Sequence, residues 1–84
     1  MDILSPGEQQ RLCIARLLYH RPQLAILDEA TSFIDTFTEK KLYEQILNSG
    51  IRLISVGHRE SLLEFHNTLL TVERDGRWEL KKIK

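Results

Sequence analysis

The chain has 84 residues, with 12 basic and 12 acidic side chains and therefore no formal net charge at pH 7. A chain of this length forms one small domain or part of a larger one. The balanced charge gives no support for electrostatic binding to nucleic acid, so no nucleic-acid partner is expected. The single cysteine, Cys13, excludes an internal disulfide. No apolar run approaches the roughly 18 residues that a membrane-spanning helix needs.

The first predicted element is a helix with a complete set of start signals. Ser5 has the residue type of an N-cap, Pro6 suits the first helical position, and Glu8 completes a capping box. The helix is predicted from Gln9 to about His20, and its wide apolar face predicts burial. Gly7 beside the helix N-terminus leaves backbone N–H groups available to an anion, which the helix dipole also favours. A well-capped helix without a ligand is the simpler interpretation of the same residues.

A buried strand is predicted next, at Leu24–Asp28, and it leads directly into Glu29. A short continuous apolar run is typical of a strand covered on both faces of a parallel sheet. Ligands of open α/β sheets bind beyond the carboxyl ends of such strands, where these two carboxylates stand. Because adjacent strand residues point to opposite sides, one carboxylate can face a hydrated metal while the other faces a water or substrate. A strand that simply ends in a solvated acidic turn is an equally good interpretation.

A second helix is predicted from a capping box at Thr36–Glu39 to about Ser49, with Gly50 as its C-cap. A second strand, Ile51–Val56, follows it and ends just before His58. A strand, a helix and another strand of this kind form a crossover with parallel strands. This histidine should therefore share one edge of the sheet with the two carboxylates.

The remaining residues predict a short helix and a hairpin. The helix is predicted from about Arg59 to Phe65, and the antiparallel hairpin over Thr68–Lys84 lies at the edge of the sheet, with Asp75-Gly76 as its turn. We expect ordinary structural roles for Cys13, in the core, and for His20 and His66, as surface or packing residues.

Four motifs stand in an order that resembles the C-terminal half of the nucleotide-binding domain of ATP-binding cassette (ABC) transporters. Leu4-Ser5-Pro6-Gly7-Glu8-Gln9-Gln10 is similar to the family's signature motif, from which Pro6 and Glu8 depart. Leu24–Glu29 resembles the Walker B strand with its glutamate, Ser32–Asp35 resembles the D-loop, and Ser55–Arg59 resembles the H-loop. The resemblance implies an α/β fold over residues 1–84. It would be the C-terminal half of a P-loop NTPase-type ABC ATPase domain, with parallel strands, crossover helices and a C-terminal β-hairpin.

The resemblance also implies ATP and Mg²⁺ as cofactors and a second nucleotide-binding domain as partner, in a homo- or heterodimer of half-transporters. Asp28 would hold Mg²⁺ through water, Glu29 would act on the attacking water, and His58 would contact the γ-phosphate. Ser32 and Asp35 would link the two ATP sites of the dimer. The residues implied to bind the partner's ATP are Leu4, Ser5, Pro6, Gly7, Glu8 and Gln9.

Subfamily D of these transporters shows the finer resemblance. It rests on Glu8, on Gly57–Leu62 and on the tail Gly76–Lys84. The tail is most similar to that of lysosomal cobalamin transporters, and more loosely to that of peroxisomal acyl-CoA transporters. The resemblance therefore implies an upstream transmembrane domain and ATP-driven transport. It places the chain at the cytosolic face of a lysosomal, endoplasmic-reticulum or peroxisomal membrane.

The phosphate-binding pattern Gly-x-x-x-x-Gly-Lys-Ser/Thr does not occur among the four glycines, and no glutamine loop is recognised. We therefore expect a fragment that does not hydrolyse ATP alone and that folds weakly or self-associates. Two alternatives remain open. The chain could belong to a soluble ABC ATPase of DNA repair or translation, or it could be a non-catalytic fragment that at most docks on an intact ABC partner.

Overall fold

The computed structural model describes residues 3–84, in which helices and strands alternate as far as the third strand and are followed by a last strand. The first two residues of the predicted 1–84 segment lie outside the described residues. The predicted α/β class, the parallel strand–helix–strand unit and the C-terminal hairpin are confirmed. The elements are α1 (Pro6–His20), β1 (Leu24–Asp28), α2 (Thr36–Asn48), β2 (Arg52–Val56), a 3₁₀ helix (Glu60–Phe65), β3 (Thr68–Val72) and β4 (Trp78–Lys82).

The start of α1 has the predicted capping box. The Ser5 hydroxyl accepts a hydrogen bond from the Glu8 N–H at 3.2 Å, and the Ser5 N–H donates to Glu8 Oε1 at 2.9 Å. The hydrogen bond from the Ser5 N–H lowers the pKa of the Glu8 carboxyl. The helix ends at Arg21, which has a left-handed backbone and donates its N–H to Leu17 O at 2.9 Å. Pro22 follows and cannot continue the helix.

The start of α2 differs from the prediction, because the N-cap is Asp35 and not Thr36. The Asp35 carboxylate accepts a hydrogen bond from the Thr38 N–H at 2.9 Å, which lowers the pKa of Asp35. Glu39 does not complete a capping box, because its side chain is buried and bonded to other residues of the interior.

The end of α2 also differs slightly from the prediction. Ser49 is the C-cap, and Gly50 follows it with φ of 79°. A positive φ is easy for glycine, which has no Cβ, so this residue turns the chain toward the second strand. That strand begins at Arg52, one residue later than predicted.

Strands β1 and β2 pair in parallel, with Ala25 opposite Leu53 and Leu27 opposite Ser55. These residues lie on the face of the sheet that the helices cover, and the core is formed there. Its buried members are Ile14, Ala25, Ile34, Ile46 and Ile51, with Leu17, Leu18, Leu27, Leu42 and Leu53 packed against them.

The opposite face of the same sheet is open within residues 3–84. Its apolar side chains are Leu24, Ile26, Ile54 and Val56, which are at least half exposed. The prediction that β1 is buried on both faces is therefore wrong for the described residues. We call these four residues the open face of the sheet.

Helix α1 is also less buried than its apolar pattern predicts. Ile14 is fully buried, whereas Leu12 and Tyr19 are exposed. Cys13 is exposed as well, so its predicted place in the core is wrong. One stripe of the helix packs on the core, and the rest of its apolar surface faces solvent.

Strands β3 and β4 form the predicted antiparallel hairpin, with Val72 opposite Trp78. The turn contains Gly76 at φ of 90°, whose N–H donates to Glu73 O at 3.0 Å. The hairpin is a separate two-stranded sheet, so the prediction that it extends the edge of the parallel sheet is wrong for the described residues. Within residues 3–84 there is no helix both long enough and apolar enough to cross a membrane.

Candidate functional site

Glu29 and His58 meet beyond the carboxyl ends of β1 and β2. Glu29 directly follows β1 and adopts φ of 53°, a left-handed conformation that non-glycine residues rarely take. Its N–H donates to Val56 O at 2.8 Å, which ties it to the end of β2. His58 Nε2 lies 3.1 Å from Glu29 Oε1, and the two side chains are 88% and 38% exposed. Such an exposed pair adds little stability, and both groups are accessible to a ligand.

The arrangement combines two complementary chemical groups. A carboxylate can orient a water molecule or take its proton, and an imidazole N–H can donate a hydrogen bond to an anion. Both groups lie at the sheet edge where open α/β proteins bind their ligands. The edge predicted for Asp28, Glu29 and His58 thus contains a contacting pair, with Asp28 in the strand next to it.

Asp28 is the last residue of β1 and stands opposite Val56. By strand alternation it lies on the same face as Leu24 and Ile26, whereas the chain has turned at Glu29. No cluster of three acidic, histidine or cysteine side chains that could hold a metal occurs in the described residues. Mg²⁺ commonly uses one or two carboxylates together with waters and phosphate oxygens. A single exposed carboxylate therefore fits Mg²⁺ in the company of a phosphate ligand.

The predicted signature segment, Leu4–Gln9, is accessible at the start of α1. The side chains of Ser5 and Glu8 each accept a hydrogen bond from the backbone N–H of the other residue, as in a capping box. Gln9 Nε2 donates to Leu4 O at 3.1 Å. Pro6 has no N–H, the Glu8 N–H donates to the Ser5 hydroxyl, and the Gln9 N–H donates to Ser5 O. The Gly7 N–H and the helix dipole are what this segment offers to an anion. All of these residues are exposed except Gly7, which is partly buried.

Gln10 connects α1 to the loop between β1 and α2, residues 29–35, a role that the sequence analysis did not predict. Its Nε2 donates to Glu29 O and to the Ser32 hydroxyl, both at 3.0 Å. Its Oε1 accepts from the Phe33 N–H at 2.8 Å. A signal was present, because Gln10 lies four residues before the buried Ile14 and so shares its helix face. A polar side chain on a buried stripe needs partners.

Arg59, the last residue of the H-loop resemblance, holds the same loop from the other side, and this role was not predicted either. Its guanidinium donates to Ser32 O and to Ile34 O, both at 2.7 Å. It also forms an ion pair with Glu39 at 3.2 Å, and Glu39 is 0% exposed. Ser32 and Asp35, the predicted D-loop residues, therefore belong to a loop that is held at both sides.

The buried Glu39 carboxylate is fully supplied with donors. The Thr31 hydroxyl donates at 2.5 Å and the Ser61 hydroxyl at 2.9 Å, in addition to Arg59. Behind the site, the hydroxyls of Tyr43 and Ser55 form a hydrogen bond at 3.1 Å. Burial raises the pKa of the Tyr43 phenol. No buried side-chain nitrogen or oxygen lacks a partner in the described part of the chain.

His66 has the packing role expected of it. Its Nε2 lies 2.8 Å from the Ser55 hydroxyl, and its Nδ1 lies 2.8 Å from Leu62 O. His20 is exposed and its ring contacts the neighbouring Tyr19 ring edge-on. Neither histidine lies in the pair described above.

Comparison with known proteins is consistent with this geometry. Residues 1–32 match the family model described as ABC transporter. ABC transporter D family member 3 of Dictyostelium discoideum is 50% identical over 83 residues, which are 99% of this chain and 11% of that protein. The lysosomal cobalamin transporter of Homo sapiens is 52% identical over 83 residues, 99% of this chain and 14% of that protein. The chloroplastic ABC transporter D family member 2 of Arabidopsis thaliana is 54% identical over 71 residues, 84% of this chain and 10% of that protein.

The resemblance to ABC transporters of the D family is confirmed. The chain corresponds to a segment of an ABC transporter ATP-binding domain, and the P-loop NTPase fold follows from that family. The chain spans 11% of the length of the first of these relatives and 14% of the length of the second.

Proposed function

We propose that residues 1–84 are the C-terminal part of the nucleotide-binding domain of a D-family ABC half-transporter, in which ATP hydrolysis drives substrate transport. The observation that carries this is the 3.1 Å contact between Glu29 and His58 beyond two neighbouring parallel strands. Nucleotide hydrolysis needs one group that positions the attacking water and others that neutralise the phosphate charge. This pair supplies a carboxylate for the first task and an imidazole for the second.

Glu29 and His58 have the roles of catalytic residues in this proposal. Glu29 orients the attacking water or takes its proton, and His58 donates a hydrogen bond to the γ-phosphate. The high exposure of His58, 88% for its side chain, leaves it free to reach a nucleotide. The left-handed backbone of Glu29 supports the assignment, because such conformations cluster at functional sites.

Mg²⁺ and ATP are the proposed cofactors. Asp28 would hold the metal through water, and Mg²⁺ when bound neutralises charge on the phosphates. The signature segment Leu4–Gln9 would contact the ATP of a second nucleotide-binding domain, and its exposure at a helix N-terminus supports this role. Ser32 and Asp35, in the loop beside it, would link the two sites of the dimer.

The complete protein would carry a transmembrane domain upstream of this segment. We place the segment at the cytosolic face of a lysosomal, endoplasmic-reticulum or peroxisomal membrane. Cobalamin and fatty acyl-CoA are the proposed substrate classes. The first is supported by the 52% identity to a relative named as a lysosomal cobalamin transporter.

The test is ATP hydrolysis by the full-length transporter with Glu29→Gln. We expect turnover to fall at least about a hundredfold, since general-base catalysis typically contributes about 10² or more. Glu44→Gln is the matched control, because Glu44 is an exposed glutamate on α2. Turnover that survives Glu29→Gln would show that this carboxylate does not act on the water.

A further inference from the structure

We infer that Gln10 is a positioning residue that fixes Glu29 to helix α1, an inference that rests on the function proposed above. The observation is that the Gln10 side chain donates hydrogen bonds to the Glu29 carbonyl and the Ser32 hydroxyl and accepts one from the Phe33 N–H. Gln10 is the last residue of the stretch that resembles the signature motif, and it is not among the residues, Leu4 to Gln9, that the resemblance implies to bind ATP. It is partly buried, so its amide is held in one place.

The peptide groups on both sides of Glu29 are held by hydrogen bonds. Its N–H donates to Val56 O at 2.8 Å, and its carbonyl accepts from the Ser32 N–H at 3.2 Å and from Gln10 Nε2 at 3.0 Å. The left-handed conformation at φ of 53° is costly for a residue with a Cβ, and it persists where the surroundings fix it. Of these hydrogen bonds, the one from Gln10 is the one that connects Glu29 to helix α1.

The first turn of α1 lies directly on the same loop. A Cβ added at Gly7 would come within 3.0 Å of Phe33 O, which shows how closely the backbones approach. Gln10, one turn further along the helix, accepts a hydrogen bond from the N–H of the same Phe33. Arg59 restrains the carbonyls of Ser32 and Ile34 from the other side.

The consequence is that α1 and Glu29 move together. A displacement of the signature segment by its nucleotide reaches the Glu29 carbonyl through the Gln10 amide, without passing through the sheet. A carboxylate that acts on a water must be placed closely, and a shift of about 1 Å can cost on the order of a hundredfold in rate. Gln10 therefore acts through Glu29 and does not itself contact the nucleotide.

The test uses Gln10→Glu in the full-length transporter. This change keeps the size of the side chain and the oxygen that accepts from Phe33, and it replaces the NH₂ that donates to the Glu29 carbonyl and the Ser32 hydroxyl with a charged carboxylate oxygen. Because the Ser32 hydroxyl can donate to that oxygen instead, the hydrogen bond that is lost is the one to the Glu29 carbonyl. We expect kcat to fall about tenfold, as for loss of one well-placed hydrogen bond, with KM for ATP unchanged within about twofold. Gln45→Glu is the matched control, since Gln45 is exposed on α2, and it should leave both constants unchanged.

Gln10→Met, which removes all three hydrogen bonds without adding charge, is the second variant and should also lower kcat. Thermal unfolding shows whether each variant is folded at the assay temperature. The inference is overturned if kcat is unchanged in a folded variant, if KM rises more than kcat falls, or if Gln45→Glu has the same effect. Loss of folding in both variants would assign Gln10 a purely structural role and would overturn it too.

Glu29→Gln in the same protein separates the two proposals. If Glu29→Gln retains turnover, the proposed catalytic role of Glu29 fails, and the inference about Gln10 fails with it. If Glu29→Gln abolishes turnover while the Gln10 variants keep their kcat, only the inference about Gln10 is wrong.

Discussion

Arg59 is the residue on which the interior side of the site depends. Its side chain is 30% exposed, and its guanidinium donates to two backbone carbonyls and to Glu39, whose side chain is 1% exposed. Removing one partner of a buried ion pair leaves the other charge unpaired, at a cost of about 3 kcal/mol or more. We expect Arg59→Ala to lower the free energy of unfolding of the complete nucleotide-binding domain by about 3 kcal/mol, as measured by denaturant titration.

Two further variants check the cause of this loss. Arg16→Ala removes an exposed arginine from α1 and should change the free energy of unfolding by less than about 0.5 kcal/mol. Adding Glu39→Gln to Arg59→Ala removes the unpaired charge and should restore part of the stability. Equal losses for Arg59→Ala and Arg16→Ala would contradict this account of the ion pair.

At this scale, local sequence signals predict only part of the site. The Ser5–Glu8 capping box joins residues three apart, so its pattern is readable in the sequence. The partners of Arg59 lie 20 to 27 positions away, and no local pattern points to them. The predicted crossover placed Asp28, Glu29 and His58 at one edge of the sheet, and the family resemblance implied their roles. Neither gave a role to Gln10 or Arg59, the residues that hold the loop beside Glu29.

Helix α2 shows the same difference at the scale of an element. Its extent, Thr36–Asn48, is close to the prediction, but two neighbouring residues were both suitable caps. Asp35 can reach the Thr38 N–H, and Thr36 could have paired with Glu39. The Glu39 carboxylate is hydrogen-bonded in the interior to Thr31, Arg59 and Ser61, so it is not available for a capping box with Thr36. Asp35 is therefore the cap.

This choice of cap predicts the effect of two neighbouring substitutions. Asp35→Ala removes the acceptor for the Thr38 N–H and should lower the melting temperature of the complete domain by about 4 °C. Thr36→Ala is the matched control and should change it by less than about 1 °C. A larger effect of Thr36→Ala, measured by calorimetry, would favour the capping box that the sequence suggested.

The cap of α2 also predicts a dependence on pH. The hydrogen bonds from Thr38 hold the pKa of Asp35 below its usual value of 3.8. A carboxyl whose pKa is lower in the folded state stabilises that state above its unfolded pKa, and this contribution is lost as pH falls through the folded pKa. The difference in melting temperature between the native domain and Asp35→Ala should therefore shrink as pH is lowered below about 3.8. A difference that stays constant down to pH 2 would contradict this role.

At the scale of the whole molecule, two apolar surfaces face solvent in residues 3–84. The first is the open face of the sheet, and the second is one face of the hairpin, formed by Leu70, Val72, Trp78 and Leu80. A groove of about 820 Å³ runs between β2 and β3. The apolar run of β1 correctly predicted a strand, but its predicted burial on both faces is wrong for residues 3–84. Its own sequence cannot say which segment provides the second cover, because that depends on residues elsewhere.

These surfaces predict how the 84-residue chain behaves alone. Contiguous apolar surface of this kind promotes association, so we expect the chain to form dimers or larger species at micromolar concentration, measured by sedimentation velocity. Ile26 and Ile54 are opposite each other on the open face, so Ile26→Lys with Ile54→Glu places a pair of opposite charges there and should increase the monomer fraction several-fold.

The matched control for this experiment places the same charges elsewhere. Gln45→Lys with Asn48→Glu adds one lysine and one glutamate to the exposed side of α2 and should leave the association unchanged. If both double variants reduce association equally, general charge and not the open face is responsible. A native chain that stays monomeric and unfolds in one cooperative thermal transition would mean that the described core, centred on Ile14 and Ile46, is sufficient for folding without further cover.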